Sequence, residues 1–162
     1  MTIDIRQLGP GDLPQLHALL RVFGEAFDDV ETYGARPPGD EYLRELLASP
    51  GCIVLVAMAD GAVAGGLVAY ELRKFEQARS EIYIYDLAIA APRRRQGLAT
   101  ALIRHLQSLA AGRGAWVIYV QADTGPDDAA AIALYTKLGT PERVLHFDIP
   151  VQPGPRPGRA GS

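Results

Sequence analysis

Leu13, Leu16, Leu19, Leu20, Phe23 and Phe27 recur at the spacing of one helix face, and Asp12 with Gln15 three residues on supplies a capping signal ahead of them. Before this helix, Ile3 to Leu8 alternates as a short strand, broken by Gly9-Pro10-Gly11. Asp40 starts a second, shorter predicted helix carrying Leu43, Leu46 and Leu47, and Pro50-Gly51 ends it. Asp28 to Pro38 between the two reads as a loop whose acids and Tyr33 lie on no core face.

The period then changes from helical to extended. Cys52 to Ala59 and Ala62 to Leu72 are predicted strands of one hairpin, joined at Asp60-Gly61, a strong two-residue turn signal. Gly65-Gly66 inside the second strand implies a bulge or a close backbone approach. After a polar connection from Arg73 to Ser80, Glu81 to Ile89 forms a third run rich in aromatic and β-branched residues. A long helix is predicted from near Gly97, with Leu98, Leu102, Leu106 and Leu109 on one face and Gly112 and Gly114 at its end. Trp116 to Gln121 is the next strand. Asp127 or Asp128 caps a last helix holding Ile132, Leu134, Tyr135 and Leu138, stopped by Gly139. Val144 to Ile149 reads as a final strand. This divides the chain into one domain, residues 1–149, and a Pro/Gly/Arg tail, residues 150–162, expected to be disordered.

Composition narrows the class. With 48% hydrophobic and 22% charged residues the chain can build a core, and no apolar run approaches the roughly 20 residues that span a bilayer. The run Met1-Thr2-Ile3-Asp4-Ile5-Arg6 lacks the charged-then-apolar pattern of a signal peptide. The single cysteine, Cys52, lies in an apolar run and reads as a buried small hydrophobe. These features predict a cytoplasmic protein with no membrane partner. A net charge of −3 argues against a nucleic-acid binder. The charges are segregated, however. Glu25, Asp28, Asp29, Glu31, Asp40, Glu41 and Glu45 crowd one early stretch, and Arg93, Arg94 and Arg95 form a basic cluster. Such zones can hold a cation in one place and an anion in another. His17, His105 and His146 show no metal-ligand spacing with Cys52, so no metal is expected.

The basic cluster sits where a strand runs into a helix through Ala90-Ala91-Pro92-Arg93-Arg94-Arg95-Gln96-Gly97-Leu98-Ala99-Thr100. A helix start presents about four backbone N–H groups without internal partners, together with a partial positive charge. That is an anion site, and Gly97 and Ala99 leave room for a diphosphate to reach the backbone. The segment has neither the Lys-Ser/Thr of a P-loop nor three glycines of a dinucleotide fingerprint.

Leu87-Ala88-Ile89, Pro92, the Arg94-x-x-Gly97-x-Ala99 turn and the later Ala131-x-x-x-Tyr135-x-x-x-Gly139 helix together resemble the GNAT superfamily of N-acetyltransferases. The resemblance covers the order of elements from about Ile3 to Ile149. It implies an α/β protein in which a mixed, mostly antiparallel central sheet is flanked by about four helices, the acyl-CoA N-acyltransferase fold. It further implies that acetyl-CoA is held by Arg94, Arg95, Gln96, Gly97, Leu98, Ala99 and Thr100 at its diphosphate. Leu87, Ala88 and Ile89 would hold its pantetheine, like an added strand. Tyr135 matches the family tyrosine near the thioester sulfur. Many members carry Asn seven residues before that tyrosine; this chain has Asp128, whose carboxylate accepts but does not donate hydrogen bonds. Longer runs, Lys74 to Ile89, Val117 to Asp123, Ala133 to Gly139 and His146 to Ile149, look like the aminoglycoside 3-N-acetyltransferases of the gentamicin-resistance type. That likeness implies a polycationic aminoglycoside substrate and a homodimer.

Acetyl transfer needs an amine without its proton, so a base belongs beside the thioester. Asp86, directly before Leu87-Ala88-Ile89, is the candidate base. An ammonium-rich substrate needs several further contacts, for which Glu81, Tyr83, Asp123 and Asp148 are candidates, with Asp28, Asp29 and Glu31 weaker ones. A regular strand puts Glu81, Tyr83 and Tyr85 on one face and Ile82, Ile84 and Asp86 on the other; a bulge would change that parity. Two other functions fit the same cationic logic less closely: acetylation of polyamines or protein lysines, and a non-catalytic acyl-CoA-binding domain, against which Asp86 with Tyr135 argues.

Overall fold

A computed structural model describes residues 2–152. Strands β1 (Ile3–Gln7), β2 (Cys52–Ala59), β3 (Ala62–Arg73), β4 (Ser80–Ile89) and β5 (Ala115–Val120) form one sheet in sequence order. All neighbours are antiparallel except β4 and β5, which run parallel. Helices α1 (Leu13–Ala26) and α2 (Asp40–Ala48) cover one face. Helix α3 (Leu98–Arg113) packs on the other, with α4 (Ala129–Leu138) beside it. The parallel pair follows from the crossover: α3 carries the chain back across the sheet before β5 begins. The α/β class, the mixed sheet and the four helices agree with the sequence expectation.

Two apolar clusters sandwich the sheet. On the α3 side, Ile53, Leu55, Leu67, Ile82 and Ile84 meet Leu98, Leu102 and Leu106. On the α1 side, Val54, Val56 and Met58 meet Leu16, Leu19 and Phe23. β2 lies between both layers, and all eight of its residues are buried. The Asp60-Gly61 turn takes positive φ at both positions, 51° and 84°, as the twist of a two-residue hairpin requires. Gly66 is the close approach implied by the glycine pair: a Cβ there would collide with the Leu55 carbonyl and the tip of Leu19.

Four details depart from the pattern reading. Asp12 caps no helix N–H; its carboxylate accepts the Gly9 N–H at 2.8 Å, tightening the turn before α1. Gly39, not Asp40, precedes the first turn of α2. Within the expected 28–38 loop, Glu31–Ala35 forms a wide π-helical turn that buries Tyr33 against Phe23 and Phe27. Tyr33 is therefore a core residue. The fourth is the strand expected at Val144 to Ile149. It is not formed: residues 140–150 belong to no helix or strand, and Leu145, Phe147 and Ile149 are 82%, 75% and 84% exposed. A strand needs a paired edge, and this segment pairs with none within the described chain. Most of the predicted tail, from Pro153, lies outside the described residues.

Candidate active site

The site is organised by β4. Its lower half, Ser80 to Ile84, is paired on both sides, with β3 and with β5. The ladder with β5 stops at Ile84–Val120, whereas pairing with β3 continues to Ile89. From Tyr85 to Ile89, β4 therefore has an edge open to another extended partner.

The turn that follows is built for an anion. Arg95 and Gly97 both take positive φ, 63° and 80°, as the chain enters α3. Gly97 is the residue before the first turn, no side chain caps that turn, and a Cβ at Gly97 would meet nothing within 4 Å. The N–H groups at this helix start thus face open space. Arg94 and Arg95 are exposed beside them, with Arg94 Nε bonded to the Ile89 carbonyl at 3.2 Å. Arg93 turns away and pairs with Asp60.

Asp86 sits where β4 changes phase. β3 pairs Val68 with Asp86 and Ala69 with Ile84, so Tyr85 is an extra, bulged residue. Ile84 and Leu87 consequently face the same α3-side core, while Asp86 turns to the α1 side with Ala88. This corrects the strict alternation, which put Asp86 with Ile82 and Ile84. The Tyr33 hydroxyl donates to Asp86 Oδ1 at 3.0 Å. Burial raises the Asp86 pKa to about 6, and the Tyr33 hydrogen bond opposes that rise. Tyr33 itself is pushed well above the usual phenol range by burial and by Asp86, with Asp29 adding to the effect. Asp29 of the acidic loop thus belongs to the electrostatic environment of Tyr33.

An aromatic row extends this face. Tyr70, Tyr83 and Tyr119 are register partners across β3, β4 and β5. Tyr83 stacks on Tyr119 at 4.7 Å, and Tyr85 meets Tyr83 and Tyr70 edge-on. The Tyr83 hydroxyl donates to Gln121, which also meets His146 at 3.3 Å; His146 in turn pairs with Asp148 at 2.8 Å. On the opposite side of the sheet, half-buried Tyr135 packs beside the point where β4 and β5 part, sharing a small pocket with Ile84, Val120 and Leu138. Burial, with Asp128 nearby, raises its pKa to about 12. A larger cavity of about 230 Å³ lies at the other end of the sheet. Arg73, Lys74, Arg79 and Arg113 line it, and that charge is wrong for a cationic substrate.

Residues 16–140 match the acetyltransferase (GNAT) family. The chain belongs to that family. An aminoglycoside acetyltransferase, HMB0005, from an uncultured soil metagenomic sample is 57% identical to this GNAT acetyltransferase. The alignment covers 94% of this chain and all of that one, with a TM-score of 0.92. A second soil-metagenome aminoglycoside acetyltransferase, meta-AAC0020, solved with sisomicin, is 29% identical over 93% of this chain and 97% of its own, at a TM-score of 0.84. A ribosomal-protein-alanine N-acetyltransferase from Brucella melitensis biovar Abortus 2308, 22% identical over 93% and 100% of the two chains, shares the fold at a TM-score of 0.72. A comparison with curated proteins gave no match.

GNAT acetyltransferases use acetyl-CoA, and the residues present fit it. The unfilled space at Gly97 and the uncapped start of α3 suit a diphosphate, and the open edge at Leu87 to Ile89 suits an extended amide-bearing arm. Among the described residues no group of acids, histidines and cysteine could hold a metal ion. Within this GNAT site, Asp86 lies on the open edge, directly before Leu87, and Tyr83 lies in the aromatic row. Glu81 does not join Asp86. It lies five residues down β4, roughly 16 Å away, where Lys74 pairs with it at 3.4 Å. Asp123 is exposed after β5, its N–H donating to Asp128 at 2.8 Å. Asp148 is half-buried beside His146. Sequence reasoning missed Tyr33, Tyr119, Gln121 and His146. Tyr33 had one signal, a lone aromatic amid acids; the others become visible only once β4 and β5 are in register.

Proposed function

We propose that this enzyme acetylates an aminoglycoside antibiotic at the 3-amino group of its deoxystreptamine ring and thereby confers resistance. It would act in the cytoplasm as a homodimer. The observation that carries the reading is Asp86: a carboxylate with a pKa near 6, pinned by Tyr33 beside the open edge of β4. The 57% identity to an aminoglycoside acetyltransferase supports the substrate class.

Bound acetyl-CoA supplies an activated acetyl group. Asp86 does what the substrate needs: above pH about 6 it is ionised, attracts an ammonium, and takes up the proton the amine must shed, directly or through one water. Asp29, Asp123 and Asp148 supply further negative charge for a polycation, and the tyrosine row offers flat faces to sugar rings and ammonium groups. Glu81, already engaged by Lys74, contributes at the margin. Tyr135 keeps its proton throughout the neutral range. With a pKa near 12 it is a weaker acid than a thiol at about 8.5, so it stabilises a thiolate by hydrogen bonding, without full proton transfer.

The reading is tested by thiol release from acetyl-CoA with gentamicin, spermidine, a histone-tail peptide or no acceptor, followed by NMR of the product. Turnover with gentamicin and acetylation at the 3-amino nitrogen is expected. Turnover confined to spermidine or the peptide overturns the substrate assignment.

A further inference from the structure

The basic cavity lies where β4 begins and α3 ends, at Ser80 and Gly114. Ser80 is six residues down β4 from Asp86, roughly 20 Å away. Its volume of about 230 Å³ falls below the roughly 300–1,000 Å³ of pockets for drug-sized molecules, so it suits a small occupant. Arg73, Lys74, Arg79 and Arg113 line it. Two of these cations are already engaged. Arg113 donates to Glu71 at 2.9 Å and to the Pro50 carbonyl, and Lys74 pairs with Glu76 and Glu81 at 3.2 and 3.4 Å. Arg79 differs. Its guanidinium lies over the Trp116 ring, 4.1 Å from the centroid, and it makes no hydrogen bond or ion pair with any described residue. Its Nε is buried besides. An arginine keeps its charge at any physiological pH, and a sheltered N–H without an acceptor is unfavourable. Stacking fixes the guanidinium plane and leaves its edge, where the Nη hydrogens lie, for another partner. The Arg73 side chain likewise has no ion pair or hydrogen bond among the described residues. The turn between the two is closed: the Lys74 N–H donates to the Arg79 carbonyl at 2.9 Å, and the Arg79 N–H to the Gln77 carbonyl at 2.8 Å.

We infer that this cavity is a second anion site, which takes a phosphate group as the free ion or as a small monoester. The donor set selects that chemistry. Guanidinium groups reach the cavity from both ends of one closed turn and from the end of α3. Donors arriving from several sides suit a tetrahedral oxyanion with several acceptor oxygens better than a planar carboxylate with two. One effect opposes binding. The carbonyl end of α3 carries about half a negative charge. It is outweighed, because the four lining cations exceed Glu71, Glu76 and Glu81 by one whole charge. A bound phosphate would tie together the β3–β4 turn and the end of α3 without touching the open edge of β4.

Titration calorimetry of the full chain with inorganic phosphate tests the site. CoA is kept at saturation to fill the turn at Gly97, and sodium chloride holds the ionic strength constant. One phosphate per chain should bind, with a dissociation constant of about 1 mM or below. Arg79→Gln should weaken that binding at least about tenfold, the effect of losing a charged hydrogen-bond donor. If that variant loses its far-UV circular dichroism, Arg73→Gln takes its place and should weaken binding about threefold, the effect of one partly exposed charge. Glycerol phosphate is titrated beside the free ion; the tighter of the two names the source, and either result supports the site. Heat without saturation, binding that the folded variant leaves unchanged, or acetate binding as tightly as phosphate overturns it.

Discussion

β2 and β5 are both strands of one sheet, yet every residue of β2 is buried and no residue of β5 is. β2 is paired on both edges and covered by helices on both faces. β5 is paired only with the lower half of β4; α3 packs against it, but α4 beside α3 buries none of its own residues. The first strand is where apolar burial accumulates; the second is where backbone and side chains stay available to ligands. Binding regions belong to the less buried parts of a fold because a fully satisfied strand has nothing left to offer. The contrast predicts that changes around β2 alter stability, and that changes where β4 and β5 part alter rate.

The largest expected effect tests the second half of that statement. Asp86→Asn keeps shape but removes basicity, and should lower kcat/KM for gentamicin at least about tenfold, within the range of a general base. Its effect on stability should have the opposite sign. The native pKa of Asp86 is raised from 3.8 to about 6, so the folded state binds more protons than the unfolded one in that window. This carboxyl's contribution to stability therefore falls as pH rises through it. Asparagine removes the penalty, and at pH 8 should raise stability by on the order of 2 kcal/mol, read by denaturant titration. Parental turnover in this variant would reduce Asp86 to a structural role.

Gly66→Ala probes the other region. The new methyl meets the Leu55 backbone carbonyl and Leu19, and overpacking of this kind costs about 1–3 kcal/mol. The melting temperature should drop while kcat of the remaining folded enzyme holds; a lower kcat at constant stability would erase the division. Tyr135→Phe, at the parting of β4 and β5, should cut kcat about tenfold through one lost hydrogen bond to developing charge, leaving the drug KM nearly unchanged in steady-state assays. The smallest effect is expected from Tyr33→Phe. Loss of the hydrogen bond that favours ionised Asp86 moves its pKa further up. The acid limb of kcat/KM should shift to higher pH by about one unit, with little change on the plateau. An unmoved limb would mean that it reports the substrate amine and not Asp86.

Most elements around β2 are legible in the sequence because their signals are local: helical spacing in α1 and α3, the Asp60-Gly61 turn, the close approach at Gly65-Gly66. The anion turn is legible for the same reason, since Gly97 and the preceding arginines are contiguous. Three features are not, and each depends on a partner distant in sequence. Asp86 changes face because β3 and β4 differ by one residue in count, which neither strand encodes alone. Tyr33 is buried because Phe23 and Phe27 reach it through an irregular turn without periodicity. The apolar alternation from Leu145 to Ile149 has the pattern of a strand, but within the described chain it pairs with no edge.

Cys52 gives the molecule a built-in reporter. The lone thiol is 6% exposed at the start of β2, and burial raises its pKa. A thiol-reactive dye added to native enzyme meets almost no thiolate, so released CoA can be followed with little background. The same dye with no substrate present should label only molecules whose β2–β3 hairpin has opened. Its slow rate then clocks the opening of the most buried part of the fold, in the same cuvette and with the same chemistry that measures turnover.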